Sequence, residues 1–498
     1  MIKILTTTTD VPLDGSDLRE NAFLIYRKLL KNFDSDQLML LESLGINSVD
    51  SRVSMVGINP IITVNVKNKT ISIHSNPILL KELNIADSIA SLQTTTLSLS
   101  VYQLVDKKMV WQLLKEFEKN FSQVPTHQCG IMAFSCFSYE TIHYIETIPE
   151  TELNDQDDHD ITLILYQSQL VIEQNKAELI TYSFPGVEDF YVANIIDAIT
   201  CMTDVEQVQD KSIDFEVIQE TTRHDYLDKV RKALHHVTVG DIYQVQIVQK
   251  IQVKAETTPL DVYRRLRILN PSPYMYLFSI NGQTVIGASP ELFLRISTDE
   301  EILMRPIAGT LGKREGRTLH HATQHLQADN KEVAEHMMLV DLCRNDIYRV
   351  CTPESLKVSG VLEIEEYSHV YHMVSTTKAM LKQGLDKYDV MIASFPAGTM
   401  TGAPKVRAME IISELEDSQR GKYAGALGIL GIGSNYINTA LCIRSTVLKN
   451  QVYTLRASAG IVSDSQEQSE YLETLHKMGS IFKAITGEEI SCHIESSS

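Results

Sequence analysis

Glutamates recur at a spacing of three in two distant stretches, Glu332 with Glu335 and Glu470 with Glu473. Each pair falls in a helical pattern, the first from Asp329 to about Tyr348 and the second from Ser465 to about Ile485. Residues three apart on a helix are surface neighbours. If the two helices face each other, four carboxylates converge, and that many hard oxygen donors suit Mg²⁺, at about 2.0–2.1 Å per ligand. A plainer reading fits too: first-turn glutamates favour the helix macrodipole, and Glu473 can pair with Lys477 one turn on. The pattern leaves both open.

The stretch 394–416, SFPAGTMTGAPKVRAMEIISELE, is the other place where chemistry is built in. Gly398 and Gly402 let the backbone approach a ligand closely, Thr399 and Thr401 offer hydroxyls, and Pro404 suits the first turn of the helix that follows. Free N–H groups at such a helix start favour a carboxylate or a phosphate. The spacing is not that of a P-loop, and a glycine-rich loop ahead of a helix also reads simply as a tight turn. Arg444 in CIRSTV is the only charge in an apolar, strand-like segment. Such an arginine needs an anionic partner, from the protein or from a ligand, and Arg456 is similar. His372 in SHVYHMVST reads, on its own, as a hydrogen-bonded packing residue. Lys405 and Arg407 fit solvated positions beside the loop.

Around these residues the hydrophobic pattern sets out the supporting elements. Residues 18–33 read as a helix, and DQLMLLESLG from Asp36 as a strand opening a sheet. RVSMVGI and PIITVNV, separated at Asn59, read as a hairpin, and ITLILYQSQLVIEQN with AELITYSF repeats that pattern. DSIASLQTTTLSLS and TELNDQDDHD read as polar connectors. TDVEQVQDKSID, at 203–214, divides a sheet-rich region 1–214 from a second region 215–498. The second region opens with a helix around Tyr226 to Val237, then a strand pair in YQVQIVQKIQV and a helix ending near Asn270. NPSPYMYLFSI and TVIGASPELFLRI form a hairpin turning at Asn281 and Gly282. Val406, Met409, Ile412 and Leu415 mark the buried stripe of the helix after the glycine-rich loop, and Val333, Met337 and Val340 that of the first acidic helix. The second acidic helix starts at a Ser465 to Gln468 capping box and buries Leu472, Leu475, Met478 and Phe482.

Composition narrows the class. The chain has 498 residues, ordinary apolar and charged fractions and a formal charge of −19. That size holds one large core or two to three domains, and that charge opposes non-specific nucleic-acid binding while permitting a local basic pocket. The seven cysteines, Cys129, Cys136, Cys201, Cys343, Cys351, Cys442 and Cys492, form no C-x-x-C pair. They fit reduced thiols in a cytoplasmic protein. No apolar run reaches the length of a membrane span, and there is no signal-peptide pattern at the start. There is no H-E-x-x-H, no G-x-S-x-G and no internal repeat.

Taken together, the blocks NPSPYMYLF, GASPE, RPIAGT, AEHMMLVDLCRND, HVYHMVS, FPAGTMTGAPKVRAMEII, CIRS and ASAGIV followed by SEYLETLHK cover most of 215–485. In this order they resemble the large subunit of anthranilate synthase, within the wider family of chorismate-using enzymes. The first 200 residues match mainly through LLES at Leu40 to Ser43. The resemblance implies an α+β fold of two packed antiparallel sheets surrounded by helices, with the active site in the second half. It implies Glu335 and Glu473 as Mg²⁺ ligands, with Glu332 and Glu470 holding metal-bound water. Thr399, Tyr423, Arg444, Gly460 and Lys477 match positions that grip the substrate, beside Ala308, Gly309 and Thr310 of RPIAGT. His372 matches the histidine at the reacting ring, Glu291 matches the general acid that assists departure of the C4 hydroxyl, and Thr399 is grouped with these two catalytic positions.

Two positions sort the members. Relatives making isochorismate or salicylate have a lysine base where this chain has Gln244, and aminodeoxychorismate synthases commonly have lysine in place of Ala308. The pair therefore implies anthranilate synthesis: ammonia attacks C2 of chorismate, the C4 hydroxyl leaves, and pyruvate is eliminated. The chain carries no Cys-His-Glu amidotransferase pattern, so the resemblance implies ammonia from a separate glutamine amidotransferase subunit, in a heterotetramer. Ser43 and Glu42 of LLES, with Pro273, Tyr274 and Met275, match a site for feedback inhibition by L-tryptophan. The rivals are an aminodeoxychorismate synthase component of folate synthesis and a catalytically silent tryptophan-sensing subunit. Thr401 stands where serine is common, His476 replaces a frequent asparagine, and LGKREGR after PIAGT is unusual.

Overall fold

The protein is described by a computed structural model over residues 2–11, 18–44, 53–123, 129–151, 158–173, 176–187, 192, 195–197, 213–313, 317–367 and 369–490. Its strands make two antiparallel layers. In one, Leu38–Glu42 leads through Tyr274–Ile280, Gln283–Ser289, Ser445–Lys449 and Val452–Ile461 to Gln244–Ala255. In the other, Ile131–Phe137 leads through Ala426–Ile432, Ile437–Leu441, Leu292–Ile296 and Glu301–Met304 to Val370–Met380. Val370–Met380 also pairs with Ile307–Gly312 and Lys357–Glu366. The long strands Val53–Lys67 and Ile161–Glu173 pair with each other and join the layers, one continuing into Leu38–Glu42 and the other into Ile131–Phe137. Phe134 and Phe278 meet across the gap with ring centroids 4.7 Å apart, so the inner faces pack together. Strands from either side of residue 214 thus pair within both layers.

Helices cover this core, as the resemblance implied. Asn330–Tyr348 packs on Ile307–Gly312 and Val370–Met380 of one layer, while Glu467–Thr486 packs on Val452–Ile461 of the other. Two short crossings carry the chain between layers. After Gln283–Ser289, Pro290 and Glu291 lead directly to Leu292–Ile296. After Ile437–Leu441, residues 442–444 lead back to Ser445–Lys449. The crossings are tied together: Leu441 N–H donates to Glu291 O at 3.1 Å, and Ala288 N–H donates to Arg444 O at 3.0 Å. No helix among the described residues is long and apolar enough to cross a membrane.

Several elements differ from the sequence reading, for physical reasons. Val53–Lys67 is one strand rather than a hairpin, because Asn59 at φ 60° and the register shift near Pro60 make a bulge instead of a turn. Gln244–Ala255 is likewise a single strand. The polar segment after Asp87 forms two strands, Ala90–Thr95 and Leu99–Leu104, at a sheet edge where one face is solvated. TVIGASPELFLRI is split at the crossing and serves both layers, although the turn at Asn281 and Gly282 forms with both at positive φ, as expected. The C-terminal helix starts at Glu467 without a side-chain cap, since the Ser465 hydroxyl instead accepts from Val462 N–H. Leu472 and Val406, assigned to buried stripes, are exposed. The connector TELNDQDDHD and the division at 203–214 lie mostly outside the described residues.

One buried carboxylate anchors the Leu38–Glu42 strand. Glu42 accepts from Phe23 N–H at 3.2 Å, Tyr263 O–H at 2.7 Å and Arg267 Nε at 2.9 Å. Glu42→Ala is expected to cost about 3–5 kcal/mol by leaving the Arg267 guanidinium without its counter-ion. The midpoint of urea unfolding measures this, and an unchanged midpoint would show that the pair contributes nothing net.

Candidate active site

The crossing at 290–291 delivers Glu291 between the layers, where it is only 7% exposed. Thr399 Oγ1 donates to its Oε1 at 3.0 Å, and the Ile307 N–H also bonds it. Burial outweighs these bonds and pushes the carboxyl from the ordinary 4.5 up to about 8. At neutral pH it is a protonated acid. Thr399 belongs to the glycine-rich loop, which Gly402 fastens to the rest of the site. At φ 143°, Gly402 sits where a Cβ would lie 2.0 Å from the Gln244 carbonyl.

His372 lies opposite Thr310 in the pairing of Val370–Met380 with Ile307–Gly312. Gly309, at φ 71° beside a register shift, turns its carbonyl toward the ring. His372 Nδ1 lies 3.3 Å from Gly309 O and 3.0 Å from Thr310 Oγ1. A carbonyl only accepts, so Nδ1 carries the proton and Nε2 is left as an acceptor. Burial, helped by the positive charges of Arg444 and Lys477, lowers the imidazole to about 4 and keeps it neutral.

Arg444 sits in the second crossing at φ 51°, not inside a strand. Among the described residues its guanidinium makes one hydrogen bond, to Lys477 O at 3.0 Å, and no ion pair. Burial lowers its proton affinity, partly offset by Tyr423 and Glu473. A buried guanidinium with so few protein partners is suited to receive an anion. Lys477 Nζ reaches Ser458 O at 2.8 Å and Glu473 Oε1 at 2.6 Å, and the Tyr423 hydroxyl donates to Ser458 Oγ at 3.0 Å. Gly460 leaves room for two amides, since a Cβ there would lie 2.4 Å from Gln244 Nε2 and 2.9 Å from Gln246 Nε2. Arg456 is occupied elsewhere, on Gln419 O at 2.7 Å and Ser418 Oγ at 3.1 Å. Lys405 is not solvated: it pairs with Asp346 at 2.6 Å.

The four glutamates share one electrostatic field but do not converge as expected. Glu335 is raised to about 6 by burial and by Glu332, and it feels Glu473 as well. Glu332 and Glu470 are raised by burial, then by acidic neighbours that include Glu473. Glu473 is lowered, because Lys477 and Arg444 together outweigh its burial. Among the described residues no three acidic, histidine or cysteine side chains are close enough to hold a metal as they stand. Lys477 pairs with Glu473 at 2.6 Å, and Gln244 Nε2 donates to Glu335 Oε1 at 2.7 Å. The donor set nonetheless suits Mg²⁺, which keeps several of its waters and is commonly held by one or two carboxylates.

The residues matched to an inhibitor site also meet. Met275 pairs with Glu42, and Tyr274 pairs with Ser289, two residues before Glu291. Pro273 is buried beside them. Ser43 N–H donates to Ser54 Oγ at 3.2 Å, while its own buried hydroxyl has no partner among the described residues. The Glu42 carboxylate is committed to Phe23, Tyr263 and Arg267. Sequence reasoning passed over Ser458 and Gln246. The period-two alternation of Arg456, Ser458 and Gly460 on one face of an otherwise apolar strand is the signal that would have found Ser458.

The sequence matches the chorismate binding enzyme family over residues 77–483. It is 40% identical over 488 residues to a 2-amino-4-deoxychorismate synthase from Streptomyces globisporus, covering 95% of this chain and 96% of the relative. It is 37% identical to anthranilate synthase component 1 from Aquifex aeolicus, over 75% of this chain and 78% of that one. The fold superposes on anthranilate synthase component I from Streptococcus pneumoniae with a TM-score of 0.66 at 29% identity, covering 88% of this chain and 93% of that one.

Glu291 yields a prediction in which stability and activity move oppositely. Its folded-state pKa, about 8, lies above the ordinary 4.5. Between those values the folded state holds a proton that the unfolded state has lost, so stability falls as pH rises from 4.5 to 8. Glu291→Gln removes that loss. The variant is expected to lose chorismate turnover by a factor of about 10²–10⁴. Its thermal midpoint should rise relative to the parent, more at pH 8 than at pH 5. A gap independent of pH would show that Glu291 is ionised in the folded protein.

Proposed function

The chain belongs to the chorismate binding enzyme family, and we propose that it aminates chorismate at C2 and then eliminates pyruvate, giving anthranilate. The observation that carries this reading is the pairing of a neutral acid with a neutral base. Glu291, raised to about 8, keeps its proton at neutral pH, and His372 keeps Nε2 as an acceptor. In the first step the ammonia nitrogen forms a bond to C2, the two conjugated ring double bonds shift to C1–C6 and C4–C5, the C4 hydroxyl leaves as water with the Glu291 proton, and the new ammonium group gives up a proton that restores the acid. In the second, His372 Nε2 takes the C2 proton, the C3–oxygen bond breaks, and the enolpyruvate released becomes pyruvate as the ring aromatises. Burial together with Arg444 and Lys477 keeps the imidazole weakly basic in the ligand-free site. A bound dicarboxylate offsets those positive charges and raises its basicity when it is needed.

The remaining residues bind and orient. Arg444, Lys477 and Tyr423 offer a positive and hydrogen-bonding wall for the substrate carboxylates, with Thr399 fixing Glu291 and Ala308, Gly309 and Thr310 lining the His372 side. Glu335 and Glu473 would hold Mg²⁺, with Glu332 and Glu470 receiving its waters. Bound there, the ion would supply charge neutralisation for a ring carboxylate. Gln244 cannot activate water as a lysine base would, which favours ammonia as the nucleophile. The ammonia is taken from a glutamine amidotransferase subunit, and Ser43, Tyr274 and Met275 form the inhibitory tryptophan site. The likeness to a 2-amino-4-deoxychorismate synthase along nearly the whole chain favours a second reading, in which the reaction ends after amination.

Purified chain incubated with chorismate, ammonium and Mg²⁺ is expected to release anthranilate and pyruvate in equal amounts. Chelation should abolish both, L-tryptophan should suppress both, and Ser43→Phe should relieve that suppression. A 2-amino product without pyruvate would establish the second reading, and a 4-amino product would place the chain with the folate-pathway synthases.

A further inference from the structure

Ser458 touches three side chains of this site. It is 2% exposed on Val452–Ile461. Its hydroxyl donates to Gln246 Oε1 at 2.7 Å and accepts from the Tyr423 hydroxyl at 3.0 Å, while its carbonyl accepts from Lys477 Nζ at 2.8 Å. An amide oxygen only accepts, so the Ser458 proton is committed to Gln246, and its lone pairs are what Tyr423 meets. Gln246 is itself fixed, because it pairs with Gly460 across the neighbouring strand. The direction of the chain, from Tyr423 to Ser458 to Gln246, follows from the acceptor oxygen at its end.

We propose that Ser458 is a positioning residue for chorismate binding. Its hydroxyl sets the tip of the Tyr423 ring and its carbonyl sets the Lys477 ammonium, so that one residue holds two substrate-gripping groups at a fixed separation. The proposal rests on the reading in which Tyr423 and Lys477 grip the substrate carboxylates. The Tyr423 phenol is buried and has no second protein partner among the described residues, so loss of the Ser458 hydroxyl frees it to turn away. Lys477 keeps its bond to the main chain in any Ser458 variant, so the hydroxyl effect runs through Tyr423 or through Gln246, and the double variant separates the two.

The test compares Ser458→Ala, Tyr423→Phe and the double variant in the full chain, following chorismate consumption with ammonium and Mg²⁺ saturating. Ser458→Ala is expected to raise KM for chorismate about tenfold, the scale of one lost buried hydrogen bond, with the loss falling on KM more than on kcat. The double variant should be no worse than Tyr423→Phe alone, since residues that act as one unit are not additive. Ser458→Gly, which also lacks the hydroxyl, takes the place of the alanine variant if that one does not fold. An unchanged KM in the serine variants, or additive effects in the double, would overturn the proposal. A product other than anthranilate would sink the reaction proposed above and leave this inference standing. Tyr423→Phe with unaltered KM would sink this inference together with the reading that Tyr423 grips the substrate, and leave the proposed reaction standing.

Discussion

The two crossings between sheet layers are the constraint on which this molecule depends. One carries Glu291 and the other carries Arg444, and main-chain hydrogen bonds at 3.1 and 3.0 Å tie them side by side. Neither residue could be placed by a flexible loop with comparable accuracy, because each crossing is only two or three residues long and is anchored at both ends in strands. Arg444 reaches φ 51°, a conformation a non-glycine residue holds only when its surroundings over-determine it. The packed layers supply that determination.

Within the site the same low-polarity surroundings act on each group differently. Burial keeps Glu291 protonated and His372 neutral, and it leaves Arg444 charged with too few protein partners. A neutral acid and a neutral imidazole beside a cation with one hydrogen bond among the described residues are the arrangement on which the proposed reaction rests, since a dianionic ligand would satisfy the cation and raise the basicity of the imidazole. The acidic helices show the complementary economy. Lys477 and Gln244 hold Glu473 and Glu335 in the ligand-free arrangement, and both contacts are with side chains that have other work in the site.

The positions proposed for tryptophan are linked to the candidate site by strand pairing. Tyr274 is opposite Ser289, and the next two residues are Pro290 and Glu291. Tyr276, one residue beyond Met275, donates to Ile443 O at 3.3 Å, directly before Arg444. A ligand at the proposed tryptophan site, seated against Tyr274 and Met275, would bear on the strand that leads to Glu291 and on the crossing that holds Arg444. A shared rigid element with two positions is what coupling between separate sites requires.

The sequence by itself determined the local elements whose signals are short-range, such as the Asn281–Gly282 turn and the two acidic helices, and it determined the family through ordered blocks. Local pattern also placed the glutamate pairs correctly on their helices, because a spacing of three is read within one element. Only the tertiary structure decided that these helices sit on different layers, that Glu473 and Glu335 are engaged by Lys477 and Gln244, and that GASPE is where the chain changes sheet. It also decided that RVSMVGI and PIITVNV are one bulged strand, since a bulge and a turn share the same asparagine and proline signals and differ only in what pairs alongside. Proton affinities were beyond the sequence for the same reason. Glutamate and histidine have ordinary values until burial and neighbouring charges, contributed by residues far along the chain, set which of them keeps its proton.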